Sequence, residues 1–170
     1  MTLIVSLPQQ SFNDALFCLE EVQKLDKNKK PFEYWKYCIW SIISSTICME
    51  SYLTQYIYDR NKEVGEKQDF LKMNLNFPTK ITYLQKKLGT KIPSYDSKDF
   101  YRIREARMIR NDIIHFRKYN IFNEITEQNA IETIEACRDL VKLILGGDGK
   151  DYNHDAQWIN KTKSEKYDKD

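Results

Sequence analysis

Chain breakers are scarce in this sequence. Five glycines and four prolines in 170 residues are too few for an all-β fold, which uses Gly and Pro at its many turns. Histidine is scarcer still. His115 and His154 are the only two and lie far apart, so they add no metal constellation. The four cysteines, Cys18, Cys38, Cys48 and Cys137, form no close pair, and each falls within an apolar pattern of helical spacing. They read as reduced core residues, not as a disulfide frame or a zinc site. No apolar run reaches the ~20 residues of a membrane span. Residues 1–7 carry neither the basic region nor the long apolar core of a secretory leader. No glycine-rich phosphate loop and no internal repeat occurs. Together these absences predict a cytoplasmic protein that does not engage a membrane and uses neither metal nor cofactor.

What is present is apolar and charged in proportions typical of a folded helical protein. Apolar residues make up 41 %, aromatics 13 % and charged residues 31 %, which a disordered chain does not combine. The length suits one domain with a real core. The expected fold class is all-α, a single bundle of about five helices over residues 1–147, followed by a flexible charged tail over 148–170. That tail carries five lysines and six acidic residues without a core period. It docks, if at all, through Trp158 and Ile159. His154 lies in it and reads as incidental.

Periodicity places the helices. Thr2–Leu7 is a short apolar run, a strand or a packed arm, ended by Pro8. Ser11 is a cap for a helix over Phe12–Lys27. Pro31 suits the first turn of the next helix, which runs to about Asn61. It carries one apolar stripe through Trp35, Ile39, Ile42, Met49 and Leu53 and a second through Trp40, Ile43, Ile47 and Ile57. A helix apolar on two faces is a central one, and Ser44-Ser45-Thr46 is where it is expected to bend. Residues 61–77 read as a loop with a helical turn. Thr79–Leu88 is a short helix stopped by Gly89. Asn123 or Thr126 caps the last long helix, which Gly146-Gly147 stops.

The remaining helix, Ser97–Phe116, concentrates the charge. The segment 98–118 has seven Lys/Arg against three acidic residues, although the whole chain is only +2. Ile103, Ala106, Ile109, Ile113 and Phe116 form its apolar stripe. Arg104, Arg107, Asn111, His115 and Lys118 recur at steps of three and four and fall in one polar row. Arg110 lies on the flank of the apolar stripe, about 100° from Asn111. Arginine grips phosphate with a planar fork, and imidazole moves protons near neutral pH. The plainer reading is a solvated basic face with one incidental histidine.

The order Arg110-Asn111, three residues, then His115-Phe116 resembles the motif of the HEPN superfamily: an arginine, four to six residues, then a histidine, often with Asn, Asp or His after the arginine. The resemblance covers about Pro31–Leu145. It implies a small helical bundle, often dimeric. Many members are metal-independent endoribonucleases, frequently toxins or antiviral-defence effectors, and others have lost activity. It further implies RNA as partner, a homodimer with its site between protomers, and an antitoxin or nucleotidyltransferase as a possible partner. Some members carry a tyrosine two residues after the histidine that such a transferase modifies. Arg117 stands there, so that regulation is not carried over. Members often place a polar or acidic residue on an upstream core helix, and Glu50 resembles it, with Arg110 as the residue it would orient. The alternative for Glu50 is an edge position reaching solvent.

These expectations give each residue a role. His115 transfers a proton, Arg110 clamps phosphate, Asn111 fixes the imidazole or binds phosphate, and Glu50 supports them. Arg104, Arg107 and Lys118 bind substrate. The competing expectation is a non-catalytic HEPN-like module that binds RNA, nucleotide or a protein partner.

Overall fold

The computed structural model describes residues 6–65, 75–115 and 125–165. Over these residues the chain is helical, with six α-helices, two short 3-10 turns and no strand. No helix among them is long and apolar enough to cross a membrane.

Helix α1 is Leu7–Lys24. Proline in a first turn gives up only an amide that has no helical partner. Pro8 therefore sits in the first turn of the helix, and Ser6, five residues before the expected Ser11, is the N-cap residue. Thr2–Val5, part of the apolar run read as strand or arm, lie outside the described residues. Helix α2 is Pro31–Glu63, opened by Pro31 as expected. It is one continuous helix through Ser44-Ser45-Thr46, and the Ser45 and Thr46 hydroxyls are satisfied by donating back into its own carbonyls. Ser45 Oγ reaches Ser41 O at 2.8 Å and Thr46 Oγ1 reaches Ile43 O at 2.8 Å. Asn76 caps α3, Phe77–Lys86, by accepting from Thr79 N. Gly89 (φ +68°) follows in the left-handed region, where a Cβ is disfavoured.

A 3-10 turn over Lys98–Phe100 leads into α4, Tyr101–His115. Helix α5 is Glu127–Gly147, with a reciprocal capping box between Thr126 and Asn129. Its last residue is forced to be small. A Cβ on Gly147 would lie 2.6 Å from Ile92 Cγ2, where the linker after α3 crosses and Lys91 N donates to Gly147 O at 3.0 Å.

Helix α2 is the axis of the molecule, touched by α1, α3, α4 and α5. Ser41 Oγ donates to Ala15 O on α1 at 2.9 Å, and Cys137 of α5 reaches Ser45 O at 2.9 Å. The larger core cluster joins Phe12, Leu53, Ile57, Phe77, Ile81, Phe100, Ile103 and Leu140. A smaller one joins Val22, Cys38, Ile42, Ile113 and Ala130. Ile103 shares a cluster with Leu53, and Ile113 shares one with Ile42, so α4 runs antiparallel to α2.

Residues 148–165 differ from the flexible tail expected of them. Helix α6, Tyr152–Asp155, and a 3-10 turn over Gln157–Asn160 fold back on the bundle. Ile159 and Ala156 are buried, and the Trp158 ring meets Phe12 edge-on at 5.6 Å. Arg138 of α5 donates to Ile159 O at 3.0 Å and Lys161 O at 2.7 Å. Ser164 N donates to Glu20 on α1 at 2.6 Å. The boundary drawn at residue 147 therefore does not separate a domain from a loose tail. Three apolar residues too closely spaced for a helical stripe anchor the segment, and the charges around them face water. Residues 166–170 lie outside the described residues.

Candidate functional site

Helix α4 holds its position by burying Ile103, Ala106 and Ile113, with Ile109 of the expected stripe half-buried against the smaller cluster. Asn111 and His115 lie on the side away from this stripe, and Arg110 lies on its flank. His115 is the last residue of α4 and is exposed. Arg110 is half-buried, and its Nη1 donates to Asn111 Oδ1 at 2.9 Å. The Asn111 oxygen is thus taken up by Arg110 rather than by the imidazole. The Arg110 guanidinium is steered within its own helix.

Arg110 lines a groove of about 550 Å³. Its floor is the outer face of α2, from Thr46 through Ile47, Glu50, Ser51 and Thr54 to Tyr58, and Leu7 and Pro8 of α1 form the far wall. The groove and the motif meet because α2 and α4 are antiparallel, which sets Arg110 beside Thr46 and Ile47. His115 is not part of its lining. The five steps from Arg110 to His115 advance ~7.5 Å along the helix, so the two lie at different stations on α4.

Glu50 is where the structure corrects the reading most. Its expected partner was Arg110. Instead Glu50 Oε1 accepts from Arg107 Nε at 3.3 Å and Nη2 at 3.2 Å, and Lys80 Nζ of α3 lies 3.8 Å from Oε2. The carboxylate is paired, not lone, and its part-exposed side chain also reaches solvent, as the alternative had it. It ties α2 to α3 and α4 at once. The physical reason is register: Arg107 stands one turn before Arg110 on α4, level with Glu50.

Two of the expected substrate-binding arginines also have structural duties. Arg107 stacks over the Phe77 ring at 4.4 Å and donates to Tyr95 Oη at 3.0 Å. Arg104 donates from Nη1 to Ser97 O at 2.8 Å and to Tyr95 O, closing the turn that precedes α4. Lys118, expected to bind substrate, lies outside the described residues, as do Phe116 and Arg117. The sequence reading missed Lys80. Its Nζ donates to Thr54 Oγ1 at 2.9 Å, so its charge sits against two groove residues, Thr54 and Glu50. A lysine in a short helix carries no sequence signal of that placement.

Other chemistry is held back. The four cysteines are free and buried. Burial pushes the Cys18 and Cys38 thiols up to about 11, which keeps them protonated at neutral pH and poor nucleophiles. Exposed His154 pairs with Asp155 at 3.1 Å, which raises its pKa, and it belongs to α6, not to the motif helix. Among the described residues no group of three His, Cys, Asp or Glu is placed to hold a metal ion. No family model, no curated protein and no solved structure matches this chain.

Proposed function

We propose that this chain is a metal-independent endoribonuclease of HEPN type, a toxin or antiviral-defence effector acting on RNA. The observation that carries the reading is one helix presenting an exposed His115 and, five residues before it, a guanidinium at the mouth of a groove. In the proposed reaction an imidazole takes the 2′-hydroxyl proton as O2′ bonds to phosphorus. The P–O5′ bond breaks, and the leaving oxygen takes a proton. The products are a 2′,3′-cyclic phosphate and a 5′-hydroxyl. Arg110 would neutralise the charge that builds on the phosphoryl oxygens, the kind of preorganised contact worth ~3–4 kcal/mol. The positioned imidazole would contribute roughly 10²- to 10⁴-fold.

Two proton transfers need two carriers, and each chain has one motif histidine. A homodimer that faces two α4 helices across a cleft would supply both. Exposed apolar residues near this region, Trp40 on α2 and Ile114 on α4, support such an interface.

A second reading is favoured by a different observation. Arg104 and Arg107 are engaged by the fold itself, so less of the basic face is left for RNA than the sequence suggests. That favours a non-catalytic helical module which binds RNA, nucleotide or a protein partner. The test is incubation with mixed RNA in excess chelator, comparing wild type with His115→Ala and analysing the new ends. Cyclic-phosphate ends that vanish in the variant support the enzyme. A folded wild type that cleaves nothing leaves the second reading, and activity that survives in His115→Ala overturns the role given to His115.

A further inference from the structure

The groove beside Arg110 holds more than the motif accounts for. Its floor is largely apolar, with Ile47 40 % exposed and Leu7 58 % exposed on the wall. Its charged lining residues are Glu50 and Arg110. Glu50 is already covered by two cations, Arg107 and Lys80. The local balance is therefore three cations to one carboxylate. The Lys80–Glu50 separation of 3.8 Å is longer than a hydrogen-bonded ion pair, and the Lys80 ammonium, largely buried, lies behind the lining residues Thr54 and Glu50. The volume of about 550 Å³ is that of a small-ligand site.

We propose that the groove is a nucleotide subsite on the RNA path. It takes the base of the nucleotide next to the cleaved linkage, with that nucleotide's phosphate facing Lys80 and Arg110. The ligand's identity as RNA rests on the endoribonuclease reading; the groove's affinity for it does not require cleavage. Three features fit this occupant. A base has two apolar faces, and the floor offers the part-exposed side chain of Ile47 for one of them. The phosphate meets the net positive charge. The groove leads from Arg110 toward Tyr58, away from the His115 end of α4, so a strand whose scissile phosphate lies at Arg110 and His115 continues into it. A wholly apolar partner helix fits less well, because it would cover Arg110 without supplying an anion.

The probe is a short single-stranded 2′-O-methyl RNA of mixed sequence, which cannot be cleaved at a 2′-hydroxyl. Its binding is followed by fluorescence polarisation with wild type, Lys80→Met and Ser51→Trp, each first shown to be folded by circular dichroism. Lys80→Met removes the ammonium and keeps the stem; Ser51→Trp fills the groove from its solvent side. The expected result is binding by wild type, about tenfold weaker with Lys80→Met and lost with Ser51→Trp. On cleavable RNA, Lys80→Met should raise KM and leave kcat nearly unchanged. Equal binding by all three proteins overturns the subsite even if wild type cleaves RNA. Absence of binding by wild type overturns it as well. Loss with Ser51→Trp but not with Lys80→Met overturns the phosphate role of Lys80 and points to an apolar occupant. Binding with the expected pattern supports the subsite even where no RNA is cleaved, and in that case only the catalytic reading falls.

Discussion

Replacing Ile159 by alanine tests whether residues 151–165 belong to the folded body. The Ile159 side chain is fully buried, within the larger core cluster. Truncating a buried isoleucine to alanine costs ~2–5 kcal/mol, depending on how far the surroundings collapse into the space. Ile159 sits on a short 3-10 turn, which can shift more than a long helix can. The lower half of that range, ~2–3 kcal/mol, is therefore expected. For a domain of this size each kcal/mol moves the midpoint by roughly 2–4 °C. Thermal unfolding followed by circular dichroism should show Ile159→Ala melting about 5–10 °C below wild type. The control is Gln157→Ala, on the same turn but exposed, which should stay within ~0.5 kcal/mol. If the two variants melt at the same temperature as wild type, Ile159 is not packed in solution and the segment is the loose tail its composition suggests.

Arg107→Ala should lower the midpoint by about 4–8 °C, because it removes a partly exposed ion pair, a bond to Tyr95 and a stacked cation over Phe77, together ~2 kcal/mol; an unchanged melt would show that the Glu50 link contributes nothing. Arg110→Lys should melt like wild type and cleave RNA at least tenfold more slowly, since lysine keeps the charge but loses the planar fork; full cleavage by the variant would refute the clamp. Stability should fall with rising alkalinity. Burial holds the Cys18 and Cys38 thiols up to about 11 against an ordinary 9.0. It also holds the Tyr52 and Tyr56 hydroxyls above their ordinary 10.0, with a bond to Asp148 adding to the Tyr56 shift. Folded pKa values above the unfolded ones mean that the unfolded chain releases protons first. The stabilisation is then complete below pH 9 and lost progressively above it, and a flat melting temperature from pH 8 to 11 would contradict this.

Local chemistry made much of the fold readable from sequence. Pro31 opens α2, Thr126 caps α5, and the stripe of Ile103, Ala106 and Ile113 fixes the inward face of α4; each signal lies within a few residues of what it determines. The misses are of another kind. Pro8 was read as a stop because proline serves equally as the start of a helix, and the choice depended on Leu7 joining α1. Glu50 was matched to Arg110 when its partner is Arg107, since a one-turn difference in register between two helices is set by packing across the core. Lys80 had no signal at all, because its role comes from where α3 lands on α2. Trp158 and Ile159 stand out in the sequence as the residues able to dock the C-terminal segment, whereas the burial of Ala156 and the order of the surrounding run are hidden by a spacing too short to register as a helix and by the charge around it.

The central position of α2 also has a consequence for amide exchange. Its middle turns, around Ser45, Met49 and Leu53, are covered on several sides by neighbouring helices. No local opening exposes their amides without parting those neighbours, whereas helix ends can fray at little cost. Deuterium should therefore enter these turns last. Their exchange rate under native conditions would report the free energy of whole-domain opening, a reference against which the looser turns of α4 and α6 can be ranked residue by residue.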